Sequence, residues 1–214
     1  MALSGNPRVV VFVDGFNLYH FIHNHKRYRR YKWLDLNSLS GKFLPPSAAI
    51  QKIVYFSAYP FWNPSKVKRH QLYIKILESN NIVVNLGYFK KVKRRVNLLN
   101  RCSIEILTHE EKETDVSIGI EMILAAHRNE FDIALLISGD TDFRPAIKAI
   151  KDNFPEKKVW IVVPDKKLAA SLDQLADRCS VIKERHLSGS QYPERIRLRS
   201  GQEVTRPKKW RQPN

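Results

Sequence analysis

The chain has 214 residues, 43% of them hydrophobic, which is enough for one folded domain with a substantial core. Its 37 Lys and Arg against 21 Asp and Glu give a formal net charge of +16, an excess that favours polyanionic partners, above all nucleic acid. The two cysteines lack the spacing of metal ligands, which argues against a zinc site and a disulfide framework. The sequence shows no signal-peptide pattern and no run long enough to span a membrane, so we expect a cytoplasmic protein without a membrane partner.

Apolar segments that alternate with amphipathic ones predict an α/β fold with a mainly parallel sheet. Continuous apolar runs are typical of strands buried on both faces, and they occur at Val9–Val13, Ile53–Ala58, Ile133–Ile137 and Val159–Val163. A more mixed run, Ile82–Phe89, fits a strand nearer an edge. Helices are predicted between the strands at Asn17–His25, Ser65–Ser79, Asp115–His127, Phe143–Lys151 and Lys166–Asp177.

Two regions depart from this alternation. Residues 90–113 predict either an inserted hairpin or a long loop. Residues 187–214 follow a domain predicted at 1–186 and form a basic C-terminal tail. Within the tail, "RIRLR" (195–199) fits a short edge strand with a cationic face, and a flexible, disordered tail fits its Pro, Ser, Gln and Arg content equally well.

The first apolar run ends on a carboxylate, Asp14, in "VVVFVDGFN". The run at Ile133–Ile137 repeats this pattern in "IALLISGDTDF", where Asp140 and Asp142 follow the strand. Helix capping is an ordinary role for Asp at such a position, but it does not readily explain three carboxylates after two strands. The carboxyl ends of parallel strands form the ligand crevice of open α/β sheets, so we predict that Asp14, Asp140 and Asp142 converge there.

A fourth carboxylate, Asp115 in "EEKETDV", opens the helix that precedes the strand Ile133–Ile137. Its bland role is a first-turn acid on the helix dipole. Because this helix must run away from the crevice before the strand returns, its N-terminus and Asp115 should lie at the crevice. Four carboxylates in one crevice repel each other unless protons or a cation compensate, and oxygen ligands suit Mg²⁺ or Mn²⁺. Together with the basic surface, this predicts a phosphodiester hydrolase.

Cationic clusters predict where a nucleic acid would lie. A single charge run usually means solvated surface, but two clusters and a basic tail favour phosphate contacts. The clusters are Lys26, Arg27, Arg29, Arg30 and Lys32 in "KRYRRYK", and Lys90, Lys91, Lys93, Arg94 and Arg95 in "KKVKRR". The aromatic loop "AYPFWNP" (58–64) is the best candidate for stacking on unpaired bases.

At "FVDGFN", "EKETDV" and "SGDTDFRP" the chain resembles the NYN family of the PIN-like nuclease superfamily, in particular its LabA-type members, over residues 8–183. The resemblance implies a Rossmann-like α/β/α sandwich and RNA cleavage that depends on a divalent metal. It also implies that the metal and catalytic residues are Asp14, Asp115, Asp140 and Asp142, with Asn17, Ser138 and Thr141 in support. Glu121 stands where many relatives have an acid, but six residues after Asp115 is not one helical face. A homodimer is left open.

Other functions fit less well. A haloacid-dehalogenase-like phosphatase needs a second Asp two residues after the first, and this chain has Phe16 there. Glycine-rich loops for dinucleotides or nucleoside triphosphates are absent from the sequence. The serious alternative is a non-catalytic RNA- or DNA-binding module on the same scaffold, and the sequence does not distinguish RNA from DNA.

Overall fold

A computed structural model of the chain describes residues 5–97, 103–164 and 172–211. A seven-stranded sheet has the order β4-β3-β2-β1-β5-β6-β7, and its neighbours are parallel except for the antiparallel pair β3–β4. The strands are β1 (Arg8–Asp14), β2 (Ala49–Ala58), β3 (Val83–Asn97), β4 (Ser103–Lys112), β5 (Ile133–Ile137), β6 (Lys158–Val163) and β7 (Arg178–Val181). The predicted α/β fold with a mainly parallel sheet is confirmed.

Helices flank the sheet on both faces. They are α1 (Gly15–Asn24), α2 (Leu36–Gly41), α3 (Pro64–Ser79), α4 (Thr114–His127), α5 (Arg144–Asn153) and α6 (Glu184–Ser188), with 3₁₀ helices at Lys26–Tyr31, Thr141–Phe143 and Lys208–Trp210. The first half of the predicted helix Lys166–Asp177, residues 166–171, lies outside the described residues, and residues 173–177 form turns and bends rather than a helix. Among the described residues, no helix is both long and apolar enough to cross a bilayer.

Strand β1 shows why the apolar runs are continuous. Val9, Val11 and Val13 belong to one core layer, while Val10 and Phe12 belong to the layer on the opposite face of the sheet. Because successive side chains of a strand point to opposite faces, a strand covered on both sides must be apolar at every position.

Within the range 90–113, the described residues 90–97 and 103–112 form two antiparallel strands, as predicted for an inserted hairpin rather than a long loop. The first part of β3, from Val83 to Gly87, pairs in parallel with β2. The strand then continues beyond the sheet and pairs with β4, from Tyr88 opposite Lys112 to Asn97 opposite Ser103. The hairpin therefore projects past the edge where the parallel strands end.

The C-terminal segment is folded against the domain. Its strands β8 (Arg195–Arg197) and β9 (Glu203–Thr205) pair with each other in a separate small sheet. The buried Trp210 lies with its ring centroid 5.8 Å from that of Trp33 and 6.1 Å from that of Tyr73. The alternative of a disordered tail is therefore wrong for residues 187–211, because buried aromatic packing outweighs the polar composition.

Candidate active site

The central strands β1 and β5 place their carboxyl ends side by side. Val13 pairs with Ile137, and the sheet order reverses between these two strands, with β2 and β3 on one side and β6 and β7 on the other. A crevice forms at such a reversal because the connections leave in opposite directions. The two strands are neighbours, which is the condition for the predicted convergence of Asp14, Asp140 and Asp142.

Asp14 is buried at the base of this crevice, with 3% of its surface exposed. Its Oδ1 accepts a hydrogen bond from the Asn17 amide at 2.9 Å, and its Oδ2 accepts one from Ser138 Oγ at 2.8 Å. Burial raises the pKa of Asp14 to about 6, against the lowering effect of these hydrogen bonds, and the charges of Asp115 and Asp140 raise it further. Asp14 thus caps α1 with one carboxylate oxygen and binds Ser138, which follows β5, with the other.

Asn17 and Ser138 join the two strand ends. Asn17 Oδ1 accepts from the Gly139 amide at 3.1 Å, and Ser138 Oγ accepts from the Asp140 amide at 3.1 Å. Asp140 Oδ1 in turn accepts from the Asp142 amide at 2.9 Å and caps the 3₁₀ helix that begins at the exposed Thr141. The turn after β5 is therefore fixed by a hydrogen bond to Asn17 of α1 and by hydrogen bonds within residues 138–142.

Gly15, the glycine of "VDGFN", is required by close packing. A Cβ atom at this position would lie 2.4 Å from a ring carbon of Tyr55 on the neighbouring strand β2. The tyrosine ring occupies the space that any larger residue would need, so this glycine serves packing beside the site.

Five carboxylates line one cleft at the crevice: Asp14, Glu110, Glu111, Asp115 and Asp140. Glu110 differs from the other four, because it forms ion pairs with Arg94 and Lys112. Asp115 lies in the first turn of α4 and is exposed on the rim. Burial is the main cause that raises the pKa of Asp115, and the charges of Asp140 and Asp142 add to it. Asp142 does not line the cleft itself. Glu121 does not line it either, since it binds Lys52 with a distance of 2.9 Å between Oε1 and Nζ.

Glu111 is a cleft residue that the sequence reasoning missed. It lies on β4 opposite Phe89, and the projecting hairpin brings it back to the carboxyl ends of the strands. Burial, followed by the charges of Asp14 and Asp115, raises the pKa of Glu111 to about 8. Its Oε1 is buried and has no hydrogen-bond partner among the described residues. The segment "HEEK" (109–112) could have indicated Glu111 only if it was known to be a strand. Side chains alternate along a strand, so His109 and Glu111 then lie on the same face.

The cleft has the chemistry of a hydrated divalent-cation site. Across the described residues, no three His, Cys, Asp or Glu side chains form a ready-made metal cage. Mg²⁺ keeps several waters, however, and needs only one or two protein carboxylates. Lys112 lines the cleft, but its Nζ lies 3.0 Å from Glu110 Oε2, and the pKa values of Asp14 and Glu111 are raised. The cleft residues therefore fit a small hard cation.

The cluster Lys26–Lys32 is partly engaged in internal contacts. Glu184 pairs with Arg27 and Arg30, and Arg29 Nε donates to His23 O at 2.8 Å. Lys32 lines a cavity beside the cleft, whereas Lys26 is exposed. Arg27 and Arg30 of this cluster therefore bind the 3₁₀ helix Lys26–Tyr31 to α6 through Glu184.

The cluster Lys90–Arg95 divides between the two faces of the hairpin. Lys91, Lys93 and Arg95 share the face that carries Phe89, because side chains alternate along a strand. Their cross-strand partners include His109, and Glu111 lies on the same face. Lys90 and Arg94 lie on the opposite face, where Arg94 pairs with Glu110.

The aromatic loop after β2 packs on the hairpin at the cleft. Trp62 stacks on His109, with ring centroids 3.9 Å apart and an interplanar angle of 15°, and its edge meets Phe89 at 4.7 Å. Phe61 and Trp62 are 47% and 40% exposed, so aromatic surface stays open to solvent beside the carboxylates.

The seven-stranded, mostly parallel sheet with an acidic cleft at its central strand ends defines an α/β protein of the PIN-like nuclease type. The NYN domain model matches residues 8–183, and the chain belongs to this family, whose members are generally nucleases. The match does not assign the chain to the LabA-type branch.

Two individual proteins are similar to the chain. One is the 6-hydroxy-3-succinoylpyridine 3-monooxygenase HspA of Pseudomonas putida, which is 24% identical over a match that covers 76% of this chain and 61% of the relative. The other is a crystal structure of a protein of unknown function, VPA0982, from Vibrio parahaemolyticus. VPA0982 superposes on this chain with a TM-score of 0.59 at 19% sequence identity. The match covers 90% of this chain and 100% of VPA0982. The chain thus spans about three fifths of the length of HspA, and the likeness to VPA0982 concerns the fold alone.

Proposed function

We propose that the chain is a divalent-metal-dependent endoribonuclease that hydrolyses phosphodiester bonds of RNA at the carboxylate cleft, with Mg²⁺ or Mn²⁺ as the ion. The observation that carries this proposal is the convergence of Asp14, Glu111, Asp115 and Asp140 at the reversal point of the sheet. Membership of a family whose superfamily generally uses divalent metals supports it.

Asp14, Asp115 and Asp140 are the residues that would hold the ion, with Asp142 adding negative charge beside Asp115. A bound ion would activate a water and stabilise charge on the scissile phosphate. Asn17 and Ser138 keep the Asp14 carboxylate in place through their hydrogen bonds across the two strand ends. Glu111, with its pKa raised to about 8, carries a proton at neutral pH in the ion-free cleft and releases it when a cation enters.

The basic and aromatic wall of the cleft suits an unpaired nucleic acid strand. The resemblance to the NYN family favours RNA as that strand. The hairpin face that carries Glu111 also carries Lys91, Lys93 and Arg95, which can contact phosphates on either side of the cleft. Phe61 and Trp62 add exposed rings on which unpaired bases can stack.

The decisive experiment measures cleavage of end-labelled single-stranded RNA with Mg²⁺, with Mn²⁺ and with a chelator. Asp14→Asn and Asp140→Asn should abolish cleavage and leave RNA binding intact or tighter, because each removes negative charge near phosphates. Glu121→Gln is the matched control, since Glu121 is an acid engaged with Lys52 outside the cleft, and it should cleave normally.

Two outcomes would contradict the proposal. An Asp14→Asn protein that cleaves at the wild-type rate would assign the activity to another site. Wild-type protein that binds RNA but never cleaves it, with either metal, would favour the non-catalytic binding module.

A second candidate function follows from the cavity beside the cleft. HspA is named for a reaction on a pyridine that carries a succinoyl group. In this chain the aromatic, cation-lined cavity is the place where a small aromatic acid of that kind could bind. Binding of a small aromatic carboxylate, compared with that of nucleoside 5′-monophosphates, tests this second function.

A further inference from the structure

A concave cavity adjoins the carboxylate cleft, and the side chains of Phe16 and His109 line both. Its volume is about 270 Å³. Small-molecule sites occupy roughly 300–1,000 Å³, so the cavity suits one small planar ligand rather than a helix or a duplex. Trp210 from the C-terminal segment completes its wall.

Flat rings surround the cavity on several sides. Its aromatic lining includes Phe16, Tyr19, Tyr55, Trp62, Tyr73 and Phe89. Imidazoles add to this surface, since burial lowers the pKa of His23 and of His70 to about 4 and both are neutral near pH 7. At the boundary with the cleft, His109 Nε2 is buried and has no hydrogen-bond partner within the described chain.

The charge of the cavity is uncompensated. Lys32, Lys66 and Arg69 line it, and among the described lining residues none is Asp or Glu. In the part of the chain that the structure describes, these three cations form no ion pair with a carboxylate. Burial, and then the charges of Arg29 and Arg69, lower the pKa of Lys32 to about 8. A site with flat walls and unpaired positive charge is complementary to a planar aromatic anion.

We propose that this cavity binds one unpaired nucleotide of the substrate strand, with its base among the rings and its phosphate at Lys32, Lys66 and Arg69. The inference rests on the proposed nuclease function and adds a substrate class, because only an unpaired nucleotide can leave its strand and enter. The shared wall at Phe16 and His109 puts the neighbouring phosphodiester at the carboxylates. The cavity thereby selects single-stranded RNA and sets the register of cleavage.

The test is direct binding of nucleoside 5′-monophosphates to the full chain in the presence of a chelator, by calorimetry and by tryptophan fluorescence. Monophosphates should bind more tightly than the corresponding nucleosides. Arg69→Met should weaken monophosphate binding roughly 10- to 150-fold, as expected for a charge-assisted hydrogen bond. Lys68→Met, an exposed cation on the same helix outside the cavity, is the matched control and should leave it unchanged.

A second variant keeps the test valid if Arg69→Met fails to fold. Trp62 is 40% exposed, so Trp62→Ala should fold, and loss of one stacking surface should weaken binding roughly 5- to 150-fold. The same variant should lower the preference of the enzyme for single-stranded over duplex RNA.

The outcomes separate this inference from the nuclease proposal. Asp14→Asn should lose cleavage but keep monophosphate binding. Cleavage without monophosphate binding, or equal cleavage of duplex and single strands, would overturn the cavity assignment and leave the nuclease standing. Monophosphate binding that is insensitive to Arg69→Met and Trp62→Ala would also overturn it. A small aromatic carboxylate that binds more tightly than any monophosphate, with the same dependence on Arg69, would replace the nucleotide as the ligand.

Discussion

Replacing Glu111 by Gln should change how the stability of the protein depends on pH. The carboxyl group has an ordinary pKa of 4.5, which burial and the charges of Asp14 and Asp115 raise to about 8 in the folded protein. Between these two values the folded state holds a proton that the unfolded state has released. The free energy of unfolding must therefore fall as pH rises, by about 1.4 kcal/mol per pH unit for one such proton.

The amide of Glu111→Gln does not titrate, so the variant lacks this contribution. We expect it to resemble the wild type at about pH 5, where Glu111 is protonated, apart from a constant offset for the amide. From about pH 6 to about pH 8 the two stability profiles should diverge by roughly 2–3 kcal/mol, with the variant becoming relatively more stable. Asp14, with its pKa of about 6, titrates in both proteins, so most of its own contribution cancels in the difference.

Urea unfolding in a chelator, at intervals of half a pH unit, measures this divergence. Glu110→Gln is the matched control, because Arg94 and Lys112 lower the pKa of Glu110 and its titration falls on the acid side of the window. Its profile should run parallel to that of the wild type above about pH 6. Parallel profiles of wild type and Glu111→Gln across the same range would refute the burial of this carboxyl group at the cleft.

Three further predictions concern the metal, the hairpin and the C-terminal segment. Mn²⁺ should raise the melting temperature more at about pH 8.5 than at about pH 5.5, because protons compete for the cleft carboxylates at the lower pH; equal shifts would contradict a carboxylate site. Changing Lys91 and Lys93 to Gln should make the slope of log K for RNA binding against log salt concentration less negative by up to about 1.4, at about 0.7 for each lost phosphate contact. The same change at Lys90 and Arg94, on the opposite face, should flatten it less, and equal effects would contradict the two-faced hairpin. Trp210→Ala should lower the unfolding free energy in urea by roughly 3–5 kcal/mol, and an unchanged value would contradict the packing of this segment in the core.

The sheet and three of the cleft carboxylates could be predicted because their signals are local. A strand covered on both faces is apolar at every position, and a carboxylate directly after it lies at the carboxyl edge of the sheet. These two rules place Asp14 and Asp140 together once β1 and β5 are neighbours. Asp115 follows from the direction of a single helix.

Glu111 was not predictable in the same way. Until residues 90–113 are known to be a strand pair, nothing distinguishes Glu110 from Glu111, and a shift of one residue would exchange their faces. The engagement of Arg27 and Arg30 with Glu184 joins residues more than 150 positions apart, as does the packing of Trp210 on Trp33. From composition alone, Arg27 and Arg30 are interpreted as solvated charges and Trp210 as part of a polar tail, because composition contains no information on partners that are distant in sequence.

The two walls of the cleft differ in how firmly the chain holds them. Asp14 ends β1 and Asp140 follows β5. These two strands lie at the centre of the sheet and are buried, so the amide hydrogens of the strands should exchange only in near-global unfolding. Glu111 and His109 are carried by β4, an edge strand with one paired neighbour, whose exposed amides should exchange through local opening at a much lower free energy. The cleft thus combines one wall that fixes two carboxylates in the centre of the sheet with a second wall whose edge strand should open at a lower free energy.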